Sequence, residues 1–126
     1  MRLALLATLG GGAGTLARYI VISAAARLLG SEFPWGTFAV NVAGSFAIGV
    51  LMAAIDIWFN GWIELRVFLV TGFLGGFTTF SAYSFDILLL IERKAYGPAM
   101  FYAAGSVLIS LIAVALGLSA VRALVQ

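Results

Sequence analysis

Residues 71–84 read Thr-Gly-Phe-Leu-Gly-Gly-Phe-Thr-Thr-Phe-Ser-Ala-Tyr-Ser. They lie across the middle of an apolar run from about Ile63 to Ile91. Three glycines and five serine or threonine residues in fourteen positions make a poor helix. The adjacent pair Gly75-Gly76 favours a break there. Irregular backbone at membrane depth survives only where protein buries it or where it lines a cavity. Carbonyls freed at such a break suit a hard cation. The alternative is a glycine-rich packing face on an unbroken helix; we read the segment as a break.

Three more stretches are long enough to cross a bilayer, which takes roughly 20 apolar residues. They run from about Leu3 to Leu29, Trp35 to Phe59 and Pro98 to Val125. Turn and charge signals separate them: Gly30-Ser31-Glu32-Phe33-Pro34, Asn60-Gly61, and Glu92 to Pro98. Pro34 is placed to start the next helix. Loops this short predict antiparallel neighbours, in a single four-span domain over residues 1–126. Arg2, the first apolar run and the small residues near Ala13 to Ala17 also fit a secretory leader. More membrane follows them rather than a mature domain, so we read a first span. No internal repeat is convincing.

Composition agrees. Of 126 residues, 63% are hydrophobic and only 10% charged, against about 25% charged in an ordinary soluble domain. Too little polar surface remains to coat a soluble enzyme, and a disordered tail or nucleic-acid binder is excluded. There is no cysteine and no histidine. Disulfides, thiolate chemistry, the commonest metal ligands and the usual neutral-pH base are therefore missing. A catalytic role and an organic cofactor are not expected.

Lys and Arg in short loops set membrane orientation. One side carries Arg2, Arg66 and Arg122, the other Arg27, Arg93 and Lys94, so the bias is 3 − 3, or zero. Either another signal orients the chain, or it inserts both ways and inverted copies pair. Four helices fill their own centre with side chains, so a polar pathway needs more helices. A two-fold dimer is the commonest way to supply them.

Two polar stripes repeat at i, i+4, i+8: Thr37, Asn41 and Ser45 on the second span, and Tyr102, Ser106 and Ser110 on the fourth. One such stripe is usually helix–helix glue; two matched stripes point to a polar track. Phe80 and Tyr83, at i and i+3, share a face if helical, and aromatic edges carry positive quadrupole. The acids Glu32, Asp56, Glu64, Asp86 and Glu92 all lie near span ends. No carboxylate sits mid-span, where cation carriers usually want one, and Arg18 is the one charge well inside a span. Hydroxyls, an amide and an arginine favour a small anion. Gly10 and Gly14, and Ser45 with Gly49, are close-packing patterns; neither is a phosphate loop.

Taken together, Gly-Gly-Gly-Ala-Gly-Thr-Leu-Ala-Arg-Tyr at 10–19, Trp-Gly-Thr-Phe-Ala-Val-Asn-Val-Ala-Gly-Ser-Phe at 35–46 and Gly-Phe-Leu-Gly-Gly-Phe-Thr-Thr-Phe-Ser at 72–81 resemble the Fluc (CrcB) family of fluoride channels. The match covers essentially the whole chain. The resemblance implies an all-α integral membrane protein with four transmembrane helices per subunit, the third broken mid-membrane. It implies an antiparallel, dual-topology homodimer in a bacterial inner membrane, with two fluoride pores and a structural sodium ion at its centre. Carried over, Asn41 is the pore amide, and Phe80 and Tyr83 present ring edges to fluoride. Tyr102, Ser106 and Ser110 form the polar track, with Thr37 and Ser81 beside it. Backbone carbonyls of Gly75 and Thr78 hold the sodium. Arg18 matches a family arginine without an assigned role. Asp86 stands where an acid, often Glu, is found.

The family commonly has Phe where this chain has Tyr83. A tyrosine there keeps the ring edge and adds an O–H, which fluoride would be able to bond directly. Among other classes, a small four-helix multidrug exporter needs a carboxylate in its first span, and no acid precedes Glu32. A non-conducting scaffold subunit would be indifferent to Asn41→Asp or Ser110→Ala. A membrane enzyme is the most distant reading.

Overall fold

A computed structural model describes residues 1–126. It is all helical, in the order α1 Arg2–Leu29, α2 Trp35–Trp58, α3 Ile63–Arg66, a π-helix Val67–Leu74, α4 Gly75–Phe77, α5 Phe80–Glu92 and α6 Tyr96–Ala123. Four segments are long and apolar enough to cross a membrane: α1, α2, the run Ile63–Glu92, and α6. At 1.5 Å per residue the 28 residues of α1 reach roughly 42 Å. The expected spans agree to within two residues. Helix α6 begins at Tyr96, ahead of Pro98, because the first-turn N–H groups lack helical partners and a proline costs nothing there. Asn60 and Gly61 turn the chain with φ of 51° and 67°.

The third span changes winding along its length. Eight residues form i→i+5 turns, a rare geometry. The Gly75 N–H is then shared between the carbonyls of Gly72 and Val70. Gly75 has ordinary helical angles, φ −61° and ψ −38°. The helix stops further on, at Thr78 (φ −85°, ψ 157°) and Thr79 (φ −152°, ψ 118°), which are extended. Gly76 therefore answers a different demand from the one read in the sequence. A Cβ on Gly76 would strike the carbonyl oxygen of Gly11, so the glycine serves close approach to α1. Thr79 caps α5, its Oγ1 accepting the Ala82 N–H at 3.2 Å, a regular N-cap to N3 bond.

Two glycine seams hold the bundle. On α1, a Cβ at Gly10 would meet the Phe68 carbonyl, and one at Gly14 the Phe73 carbonyl. From the third span, Gly72 packs on Ala7 and Gly10. The second seam joins α2 to α6, where Gly49 and Gly117 face each other and neither has room for a Cβ. Without an apolar solvent difference between helix and lipid, such close backbone contact is a main source of cohesion. At one end of the bundle Arg2 pairs with Glu64 and Arg66 with Asp56. At the other, Arg93 Nη1 donates to the Glu32 carbonyl at 3.2 Å.

Candidate functional site

The interruption at Thr78 and Thr79 opens onto a groove of about 370 Å³ between α2, the third span and α6. Asn41 and Ser45 of α2, Gly75, Thr78, Phe80 and Tyr83 of the third span, and Ser106 and Ser110 of α6 all line it. Two members of each polar stripe, Asn41 with Ser45 and Ser106 with Ser110, therefore meet on one concavity, which only the packing of α2 against α6 arranges.

Asn41 ties the groove to the interruption. Its Nδ2 donates to the Thr79 carbonyl at 3.0 Å, and its Oδ1 accepts the Thr79 N–H at 2.8 Å. In a continuous helix that N–H would bond the Gly75 carbonyl, four residues back. Asn41 takes both groups of Thr79 and leaves Gly75 without that donor. One of its two amide N–H groups remains for another acceptor. The sequence reading marked Asn41 as a donor and missed this stapling role. It also gave Thr79 no role, although a threonine just before a helical stretch is an N-cap signal.

Phe80 is 78% exposed, and its ring lies 5.5 Å from that of Tyr83. The Tyr83 hydroxyl donates to the Ala103 carbonyl oxygen of α6 at 2.6 Å. This corrects the expectation of a hydroxyl offered to an anion: its single proton is engaged by α6. Tyr102 is fully buried and donates to Asp86 Oδ2 at 2.9 Å. Asp86 and Thr37 line a second cavity of about 310 Å³, together with Phe33, Trp35 and Arg93. Tyr102 lines neither cavity.

Ser106 is 5% exposed, and its Oγ is buried without a hydrogen-bond partner. Helical serines in apolar surroundings commonly bond back to the carbonyl four residues earlier; Ser106 does not, although it lines the groove. A buried hydroxyl without a partner costs about 1–3 kcal/mol. Ser81 is exposed, lies outside the groove, and sits 3.4 Å from Thr79 Oγ1. Arg18 reaches the interruption from α1, its Nη1 3.4 Å from the Thr78 carbonyl.

The residues fit a hard cation in donor type and only partly in number. No cluster of acids, histidines or cysteines is available to hold a metal, so backbone oxygens are the donors at hand. Gly75 and Thr78 both line the groove, and Asn41 has removed the donor that would bond Gly75. Two carbonyls make a fraction of the six to eight ligands, or of the octahedral six, that hard cations take. A second copy would double them.

These features define a small, multi-pass, all-helical membrane protein with a donor-lined groove open on one side. A family model described as CrcB-like protein, Camphor Resistance (CrcB), matches residues 5–118. A Rhizobium etli protein named fluoride-specific ion channel FluC is 52% identical over 122 residues, covering 97% of this chain and 98% of its own length. Proteins of the same name from Agrobacterium fabrum and Rhodospirillum centenum are 50% and 46% identical, over 94% and 97% of this chain and the same shares of their own. The chain belongs to the CrcB-like family, as its motifs implied.

Proposed function

We propose that the protein is a passive fluoride channel of a bacterial inner membrane. It works as an antiparallel homodimer, with two pores lined by both copies and a sodium ion at the centre. The observation that carries this reading is the groove's donor set. Ser106 Oγ is buried with no partner, Asn41 keeps one N–H, and Ser110 stands one turn further along the same face of α6. No carboxylate lines that groove. Full-length relatives named fluoride-specific ion channels support the choice of anion. An open groove of this polarity facing lipid would strand its donors, which supports a second copy as its cover.

Fluoride would lose its water stepwise against these donors and the aromatic wall of Phe80 and Tyr83. Each site must hold it weakly enough for exit. No residue transfers a proton and no bond is made. The carbonyls of Gly75 and Thr78 from both copies are the ligands proposed for sodium, which when bound offsets the crowded carbonyl dipoles.

The test is fluoride efflux from proteoliposomes, with potassium ionophore to balance charge and chloride as the parallel anion. Wild-type protein should release fluoride and retain chloride. Ser106→Ala should slow fluoride by about tenfold or more while leaving the melting temperature unchanged or raised, because the hydroxyl it removes is unpartnered in the fold. Wild-type vesicles that keep their fluoride would sink the reading.

A further inference from the structure

Helix α5 hangs on α6 by two hydrogen bonds that run in opposite directions. Tyr83 of α5 donates to the Ala103 carbonyl of α6 at 2.6 Å, and Tyr102 of α6 donates to Asp86 of α5 at 2.9 Å. The two rings meet edge to face with centroids 5.3 Å apart. No other side-chain hydrogen bond joins α5 to another helix. A helical carbonyl has a second lone pair, so the Tyr83 bond adds to the α6 ladder without breaking it. Tyr83 is half-buried, packs against the apolar cluster of Leu90, Ala99 and Tyr102, and lines the groove beside Ser106.

A ring pinned at its hydroxyl is held differently from a bare phenyl ring. Swinging about χ1 breaks the bond to Ala103, so the ring cannot drift into the groove next to it at no cost. A phenylalanine at this position keeps the ring and loses that restraint. We propose that Tyr83 is a positioning residue: its hydroxyl, by binding the Ala103 carbonyl, holds the aromatic wall of the groove clear of Ser106 and thereby sets the rate at which the anion passes. The proposal rests on the channel reading above. It assigns the hydroxyl no contact with the ion.

The test compares wild type, Tyr83→Phe and Tyr83→p-aminophenylalanine, the last restoring an N–H donor at the ring's far end. Fluoride and chloride efflux are measured from proteoliposomes, and backbone hydrogen exchange over residues 80–92 is measured on the same samples. Tyr83→Phe should slow fluoride roughly three- to tenfold, the effect of one hydrogen bond. Chloride should stay excluded, and exchange near residues 80–86 should quicken. The p-amino variant should restore both rate and protection. A Tyr83→Phe protein at the wild-type rate overturns the proposal. So does a slowed one that the p-amino group fails to rescue. Absence of fluoride efflux from wild type would instead remove the channel reading and the rate claim with it. In that case unchanged exchange in Tyr83→Phe would separately overturn the restraint.

Discussion

From Ile63 to Phe77 the third span presses its backbone onto α1 through glycines on both sides; from Phe80 to Glu92 it hangs on α6 by the hydroxyls of Tyr83 and Tyr102. The first half is held by shape. Carbonyl oxygens of the π-helix occupy the space a Cβ would need on α1, so the contact tolerates almost no change. The second half is held by direction. Its hydroxyl bonds contribute about 1–3 kcal/mol each, an amount that one substitution or a small movement can change. The groove lies where the two halves meet. A rigid half fixes where the interruption falls, and a lightly tethered half supplies the aromatic wall that an ion must pass.

Substitutions in each half test this contrast. The largest effect is expected at Gly14→Leu, where the new side chain would run into the Phe73 carbonyl and the Phe77 N–H. Those are backbone atoms and cannot turn aside, so the cost should exceed about 3 kcal/mol. Detergent-solubilised protein should show no monodisperse chromatographic peak; a folded variant with the wild-type melting temperature would break the contrast. Next comes the junction. Asn41→Ala strands both the N–H and the carbonyl of Thr79, at about 1–3 kcal/mol each. A large fall in melting temperature and loss of fluoride efflux should follow, and retention of either would show that the interruption does not depend on Asn41. The smallest effect belongs to Thr79→Val, which keeps the shape and removes the cap of α5, at about 1 kcal/mol. Amide exchange should quicken at Ser81 and Ala82 and stay unchanged over residues 72–77. Equal quickening in both stretches would mean that the two halves move as one.

Much of the architecture was legible because the signals are local. Length and apolarity alone placed four spans to within two residues. Gly10 and Gly14 announced a close contact, though not its partners Phe68, Gly72 and Phe73. The stripes Thr37–Asn41–Ser45 and Tyr102–Ser106–Ser110 were plain from spacing. Packing then divided them: Asn41, Ser45, Ser106 and Ser110 line one groove, Thr37 the second cavity, and Tyr102 neither. The stop after Phe77 was harder to place. Gly75-Gly76 looks like the weak point by propensity, but α1 needs Gly76 for close contact, and the helix ends where Asn41 offers Thr79 a better partner. The π-helix left no mark in the sequence.

The number of spans, the donor-rich interior and the lack of a mid-span carboxylate follow from side-chain chemistry and helical period alone. Which donors are free depends on contacts between helices. Asn41 meets Thr79 across 38 residues and Tyr83 meets Ala103 across 20, distances at which no periodicity speaks. The same packing engages the Tyr83 hydroxyl and leaves that of Ser106 without a partner. A hydroxyl's availability depends on what packing brings within about 3 Å of it, and neighbours along the chain do not carry that information.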